Sequence, residues 1–514
     1  MADLPIPVVD SLDNIFPETY LKHTPRFVKL ADEFSARYGT KPTHIYRAPG
    51  RVNLIGEHID YAFFGVLPAA IEPDLLIACA PRKSEPGLIR LQNLDPKYKP
   101  EEFTAKRDAN GKWSLDIDKS QLRWESYVKA GYYGVLDHFF AKNDAEPVGF
   151  DALFVGTVPG GSGLSSSAAM VVASTIAFLH MNGKLANVTR GKLVEIAMEN
   201  ERRVGVNSGG MDQAASAIPP SHPTSALYIS FYPKLKAEPI ALPAGADLVI
   251  AHSMFTAEKH ITSKTNYNLR VVETLAAARV LARRLGVEVR KDERITLREV
   301  LDRWLGYTDP SAEQIKEGLE KILQHVDGLK LQDEPSAVGD DSDPGHTLDE
   351  MIEVSGLSAP EFNDLYMSRF EVETTHYQLY KRAKHVFTEA HRVLQFRDLC
   401  LKAASGDSSD SLTQLGALFN KSQSSCADLF NCSADGLDEL TGLARGAGAF
   451  GSRLTGAGWG GCTVSLVPKD KVTGFIKELR EKYEAYKVMD DETFGQYVFA
   501  TKPGAGASVY TISQ

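Results

Sequence analysis

Glycine-rich loops placed at the junctions between apolar segments constrain this chain more than any other feature. The densest is Pro159–Ala169, PGGSGLSSSAA. Before it, residues 149–158 are rich in Val, Leu and Phe and read as a strand. After it, Ala168–Met181 is an apolar run of helical length. Glycines let backbone N–H groups approach a ligand closely, and the helix N-terminus adds unpaired donors and partial positive charge. The combination makes an anion site suited to nucleotide phosphates. Ser165, Ser166 and Ser167 add hydroxyls for phosphate oxygen or a magnesium ion. A flexible linker with a serine cap is the alternative reading, and the tight apolar brackets argue against it. The loop is not a Walker A motif, because none of the pairs Gly111-Lys112, Gly183-Lys184 and Gly191-Lys192 is followed by Ser or Thr. Nor is it a nucleophile elbow, since Gly161–Leu164 breaks the G-x-S-x-G spacing.

A second loop, Arg47–Tyr61, reads RAPGRVNLIGEHIDY. Glycines flank a short apolar strand, with Arg51, Glu57, His58 and Asp60 nearby. Carboxylates accept hydrogen bonds from sugar hydroxyls, and guanidinium and imidazole meet them at fixed angles, so the mixture suits a polyol. A surface turn with incidental charges is the alternative. Zinc-protease spacing is absent. A third loop, Gly451–Val464 (GSRLTGAGWGGCTV), formally contains G-x-G-x-x-G. A dinucleotide loop must open a helix, whereas Cys462–Val467 is β-branched and reads as a strand. A glycine-rich hairpin bend supporting a site from the second half of the chain is expected instead. In ERRVGVNSGGMDQ, Glu201–Gln213, Asp212 follows a glycine turn. Taken alone, an Asp at a helix start is most often an N-cap.

The remaining segments frame these loops. Residues 1–16 read as a loose arm and 17–38 as a helix stopped by Gly39. His44–Ala48 and residues 65–80 read as strands, and 191–204 as a helix. Beyond about residue 240, Leu248–Ala251 is a short strand and 268–285 an amphipathic helix, with Val271, Leu275, Ala278, Ala282 and Leu285 along one face. Helices are also expected at 312–325 and 376–397, and strands at 462–468 and within 497–512. Gln332–Gly345 is acidic and Pro/Gly-rich and reads as a solvated loop. The 514 residues allow two or three domains. With 43% hydrophobic and 24% charged residues the composition is ordinary for a globular protein, which excludes disordered, collagenous and coiled-coil classes. A net charge of −10 argues against nucleic-acid or membrane-surface binding. Five cysteines, an odd number without a CxxC pair, argue against a disulfide framework or zinc site. The first ten residues carry no signal-peptide pattern, and no 18-residue apolar stretch exists. A reduced, soluble, cytoplasmic protein is expected.

The three loops, in this order and spacing, resemble the motifs of the GHMP kinase superfamily over about residues 20–510. GRVNLIGEHIDY at 50–61 resembles the galactokinase signature, PGGSGLSSSAA the superfamily's phosphate loop, and GSRLTGAGWGGCTV its third motif. GEHIDY, GGMDQ and GAGWGGCTV are similar to both fungal-type galactokinases and N-acetylgalactosamine kinases. Tyr267 in TNYNLRVVE matches the tyrosine of the former, where the latter carries Phe, and so favours galactose. The resemblance implies an α+β, two-domain fold with the active site in the cleft between the domains: an N-terminal arm at 1–16, an N-terminal domain at 17–240 and a C-terminal domain at 241–514. It implies ATP-dependent phosphorylation of D-galactose at the anomeric hydroxyl, with ATP and Mg2+ required. Asp212 would be the catalytic base and Arg51 its partner. Glu57, His58, Asp60, Gly209 and Tyr267 would join Arg51 and Asp212 around the sugar. Gly160, Gly161, Ser162, Gly163, Leu164, Ser165, Ser166 and Ser167 would cradle the nucleotide, with Ser166 and Glu201 toward the metal. Arg202 departs from the Glu-His pair expected beside Glu201. Non-enzymatic galactose sensors that bind a repressor protein resemble this family too, but those have lost phosphate-loop residues, whereas Ser165–Ala169 is uninterrupted here. A monomer is expected.

Overall fold

The structure, a computed structural model, describes residues 1–512 apart from 83–84, 86, 110, 119–122, 141–145, 206–208, 222–224, 256–263, 332–343, 369–370 and 407–409. Most of the acidic 332–345 segment therefore lies outside the described residues. The first half contains β1 (Val8–Val9), α1 (Tyr20–Tyr38), β2 (His44–Ile55), β3 (Leu67–Pro81), β4 (Leu88–Asn93), β5 (Glu101–Thr104), α2 (Trp124–Phe139), β6 (Phe150–Gly156), α3 (Ser166–Met181), α4 (Arg190–Glu201) and α5 (Met211–Ala217). A ribbon of β7 (Ala226–Ser230) and β8 (Lys236–Ile240) leads into the second half. There follow β9 (Ala246–His252), α6 (Tyr267–Arg284), α7 (Leu297–Leu305), α8 (Ala312–Ile322), α9 (Leu379–Ala404), α10 (Ser411–Ser424), α11 (Asp435–Gly446), β10 (Gly451–Thr455), β11 (Cys462–Pro468), α12 (Val472–Lys482), β12 (Val498–Thr501) and β13 (Ser508–Thr511).

The strands form a seven-stranded sheet, ordered β1-β13-β2-β3-β6-β4-β5, and a four-stranded antiparallel sheet, ordered β10-β11-β9-β12. The expected α+β architecture is what is found. Helix α3 packs on β2 and β3, with α2 and α4 over its outer side. Its sequence is apolar nearly all round, and Ala168–Leu179 is buried apart from Met170, as such a helix must be.

Two expectations about the ends of the chain are corrected. Residues 1–16 are not a loose arm: Ile6, Leu12, Ile15 and Phe16 are buried, and β1 pairs with β13. Nor does the stretch from 241 to the end form one unit. β13 crosses back and pairs antiparallel with β2, where Val509 lies opposite Tyr46 in the first sheet. The apolar core likewise runs without a break from Val52 and Ile176 through Leu275 to Val464.

Helix α6 also differs from its reading. Its residues Leu269–Ala282 are all buried, not just one face. It lies between α7 and α9, and its polar members are satisfied internally: Arg270 pairs with Glu273 at 3.2 Å, and Glu273 takes Arg382 of α9 at 2.7 Å. Buried, paired charges gave a central helix the sequence pattern of a surface one.

Candidate active site

Strand β2 carries the first of the cleft residues. Its register against β3 shifts between Pro49 and Arg51. A proline, having no N–H to give to a ladder, is tolerated at such a bulge, so the strand runs on past Pro49-Gly50, where the sequence suggested it would stop. The Arg51 N–H then bonds the Leu164 carbonyl at 3.0 Å, joining the strand to the phosphate loop. The buried Arg51 side chain does the same work twice: Nε donates to Asp212 Oδ1 at 2.8 Å, and Nη1 donates to the Gly163 carbonyl.

Asp212 lies in the first turn of α5, whose N-cap is Gly210, so it is not the cap that a lone Asp suggests. Beside it is Asp60, almost fully buried and pushed up to about 6 by burial and then by the Asp212 charge, against backbone N–H bonds that favour the carboxylate. Gly209 touches the same carboxylate. A Cβ at that position would lie 2.3 Å from Asp60 Oδ2, so no other residue fits without moving Asp60. Tyr267, the first residue of α6, completes this wall. Its ring is 5.7 Å from those of Tyr61 and His58, and its hydroxyl, raised by burial, also feels Asp60, Asp212, Arg202 and Glu201. Arg51, Asp60, Gly209, Asp212 and Tyr267 are thus brought together.

His58 and Glu57 are placed differently. His58 adopts φ 61°, rare for a side chain of this kind. Its Nε2 is 2.8 Å from the Ala457 carbonyl, and its Nδ1 is 3.2 Å from the Tyr61 hydroxyl. The carbonyl accepts only, so Nε2 carries the proton and Nδ1 accepts from Tyr61. Burial pushes its pKa down to about 3, and the ring stacks on Phe430 at 4.7 Å. This neutral imidazole joins the signature turn to the third loop, with both nitrogens occupied. Glu57 is also buried: Oε1 accepts from the Gly456 N–H at 2.8 Å, while Oε2 accepts from Asn53 Nδ2 at 2.8 Å and from Arg453. A carboxylate has about four acceptor positions, and three of those on Glu57 are taken.

The phosphate loop is packed against the third loop. That loop is a hairpin bend between β10 and β11, as expected, and the G-x-G-x-x-G pattern does open a strand. A Cβ on Gly456, whose φ is +86°, would stand 2.5 Å from the Gly163 carbonyl oxygen. Within the phosphate loop, Ser162 Oγ donates to the Pro159 carbonyl at 2.7 Å, so this hydroxyl braces the loop, and the Leu164 side chain belongs to the core. Gly160 and Gly161 are exposed, and Ser166 and Ser167 half-buried, at the start of α3. Ser165 is held at φ 60°, and its Oγ is buried without a hydrogen-bond partner among the described residues. Such a hydroxyl carries an uncompensated desolvation cost that a ligand can relieve. Glu201 is buried and accepts from the amide of Gln213, the residue after Asp212. The Ser165 hydroxyl, the glycine backbone of the loop and the Glu201 carboxylate in the same half of the chain are hard oxygen and N–H groups, which fit nucleotide phosphates with magnesium.

Asn53, His385, Glu389, Phe430 and Arg453 escaped the sequence reading, although each holds the signature turn. Arg453 stands inside the third motif, in a strand of otherwise uncharged residues. A charge there was the available signal.

Residues 32–81 match the galactokinase galactose-binding signature, residues 126–218 the N-terminal domain of GHMP kinases and residues 408–485 their C-terminal domain. A Dictyostelium discoideum galactokinase is 36% identical over 522 residues, spanning 98% of this chain and 97% of its own. The Saccharomyces cerevisiae galactokinase is 36% identical, spanning 99% and 98%. The chain belongs to the galactokinase family. In agreement, a solved structure of Lactococcus lactis galactokinase with galactose superposes with a TM-score of 0.64 at 25% identity, over 94% of this chain and 99% of that one. The signature match contains Arg51, Glu57, His58 and Asp60, and the N-terminal match contains the phosphate loop, Glu201 and Asp212. Tyr267 lies outside all of the matched segments. Among the described residues, no helix is long and apolar enough to cross a membrane.

Proposed function

We propose that this chain is a galactokinase that transfers the γ-phosphoryl group of ATP to the anomeric hydroxyl of α-D-galactose. One observation carries the reading: a single buried guanidinium, Arg51, binds both the Asp212 carboxylate and a carbonyl of the phosphate loop. The group that prepares the acceptor and the loop that holds the donor are thereby fixed to each other. Phosphoryl transfer depends mainly on such positioning and on charge stabilisation.

Asp212 accepts the proton of the anomeric hydroxyl, and Arg51 stabilises negative charge developing between sugar oxygen and phosphoryl group. Asp60, Gly209 and Tyr267 orient the sugar, and Glu57 offers its remaining acceptor position. His58 acts on the sugar through Tyr61 and Tyr267. Gly160–Ser167 receive the ATP phosphates, with the Ser165 hydroxyl as a further donor. Ser166 and Glu201 would hold magnesium beside those phosphates, where it would supply charge neutralisation. All these groups come from one chain, so a monomer suffices.

An ADP-release assay with galactose, N-acetylgalactosamine and glucose tests the reading. Galactose is expected to give the highest kcat/KM. Faster turnover of N-acetylgalactosamine would refute the sugar assignment and the use of Tyr267. Saturable galactose binding without turnover of any sugar would identify a galactose sensor instead.

A further inference from the structure

The segment that precedes and includes Glu57 is gripped by the other half of the chain. Arg453, fully buried in β10, donates through Nη1 to the carbonyls of Asn53 (3.2 Å) and Leu54 (3.1 Å), through Nη2 to Glu57, and through Nε to Ser422 Oγ (3.0 Å). The Ser422 hydroxyl donates to Glu389 Oε1 at 2.6 Å, and the Gly56 N–H donates to the same oxygen at 3.0 Å. The other Glu389 oxygen accepts from Arg392 at 2.7 Å. His385, one turn earlier in α9, lies 3.1 Å from the Glu57 carbonyl and 2.9 Å from Ser425 Oγ. The Asn53 N–H is taken by Thr455 Oγ1 at 2.9 Å.

Every contact in this set is directional, and none of Arg453, Glu389, Ser422 or His385 bonds Asp212 or the phosphate loop. Apolar residues of similar volume would often stabilise a buried site as well as an ion network does. What the network adds is a fixed register. A guanidinium bound to successive carbonyls and a side chain of one segment allows that segment a single position along the strand direction. Arg51 lies just upstream of the gripped residues on β2, and Asp60 just downstream.

We propose that Arg453 and Glu389 are positioning residues for phosphoryl transfer, clamping residues 53–57 so that Arg51, Glu57 and Asp60 meet the sugar in the geometry Asp212 requires. The clamp acts on the sugar side of the cleft. Its connection to the nucleotide side, Gly160–Ser167, is indirect, through Arg51 and the third-loop backbone at Gly456. This inference rests on the kinase reading above.

The test compares Arg453→Lys and Glu389→Gln with the parent protein. Lysine keeps the charge but loses the planar fork. Glutamine keeps an acceptor for Gly56 and Ser422 while removing the charge. Steady-state kinetics would be run against sugar and ATP separately, with calorimetric titration of galactose and of ATP on folded protein. Both variants are expected to lose at least about 10-fold in kcat/KM for galactose while their ATP dissociation constants stay within about twofold. In the Arg453→Lys background, Glu57→Gln is expected to lose less than the sum of the two single losses, because the two substitutions break one shared ion pair. The proposal is overturned if sugar and ATP binding weaken in parallel, if both variants match the parent in kcat/KM for galactose, if the losses with Glu57→Gln are additive, or if both variants are recovered only unfolded. Should the parent turn over no sugar, the kinase reading fails first, and the galactose-against-ATP binding split still decides the clamp.

Discussion

Replacing Asp60 with Asn should make the protein more stable and worse at holding sugar. The carboxyl is buried, and its pKa is raised from an ordinary 3.8 to about 6, by burial and then by the neighbouring charge of Asp212. Each unit corresponds to about 1.36 kcal/mol, so keeping Asp60 ionised at pH 8 costs the folded state about 3 kcal/mol relative to the unfolded chain. Asparagine removes that cost but weakens the N–H bonds from Tyr61 and Met211 to the carboxylate, roughly 1–2 kcal/mol. A net gain of about 1–2 kcal/mol remains. Unfolding entropy near 2.1 cal/mol/K per residue gives a chain of this length about 1 kcal/mol/K, so Tm should rise by about 1–2 °C at pH 8. The sign of the pH dependence follows from the raised value. A carboxyl whose pKa is higher folded than unfolded contributes its full stability below about 3.8 and loses it as pH rises through about 6. The advantage of Asp60→Asn must therefore shrink between pH 8 and pH 5. At pH 8 the variant should bind galactose roughly 10–100-fold more weakly, the worth of a hydrogen bond to a charged group, and the deficit should narrow below about pH 6 as the parent carboxyl takes up its proton. Thermal melts at pH 8, 6 and 5 with parallel sugar titrations check this. A lower Tm at pH 8, or a difference independent of pH, would refute the assigned environment of Asp60. Unchanged sugar affinity would remove it from the sugar site.

Asp212→Asn should keep the fold and sugar binding while kcat falls by about 10²–10⁴-fold, the usual contribution of a positioned base; retention of more than about a tenth of the parent kcat would remove that role. The same substitution takes away the charge that raises Asp60, so the acid limb of the galactose-binding profile, expected near pH 6, should move to lower pH. Ser165→Ala should raise the KM for ATP by roughly 10-fold or more without lowering Tm, because the hydroxyl it deletes is buried and has no hydrogen-bond partner among the described residues; an unchanged ATP profile across a magnesium titration would exclude Ser165 from the donor site. Gly456→Ala places a Cβ against the Gly163 carbonyl at positive φ, so a loss of about 2–4 kcal/mol, or a similar number of degrees in Tm, should accompany weaker ATP use, measured by melting and by ADP release.

What the sequence made legible was local. The strand at 462–468 and the helix ending at Met181 needed only hydrophobic period and flanking glycine. Arg51 and Asp60 stood out as polyol-binding residue types within one loop, whereas Asp212, taken alone an N-cap, was legible as a base only through the resemblance of its motif to those of the GHMP kinases. The missed features depend on contacts between distant parts of the chain. The Glu57–Arg453 pair spans 396 positions, and no local pattern ties a glutamate in one loop to an arginine beyond it. His58 has the residue type of a sugar ligand, yet its ring nitrogens are taken by Tyr61 and Ala457, the second of which only the fold brings near. Pairing of β13 with β2 likewise depends on the chain returning across the molecule, so a linear domain boundary placed those residues in the wrong half.

The third glycine loop supports the site as a hairpin bend. Gly456 faces the Gly163 carbonyl, at a distance no side chain allows. Its N–H is directed at Glu57. One backbone unit therefore holds the phosphate loop on one side and the sugar-loop carboxylate on the other. Arg51 makes the same connection from the opposite wall through Gly163 and Asp212. With donor and acceptor loops tied together twice, by a guanidinium and by a glycine backbone, little of the geometry is left to be found after the substrates bind. That is the condition under which orientation lowers the barrier most. It also explains why an acidic chain can serve a polyanionic substrate: the groups left for the nucleotide are backbone N–H groups and hydroxyls, which add nothing to net charge.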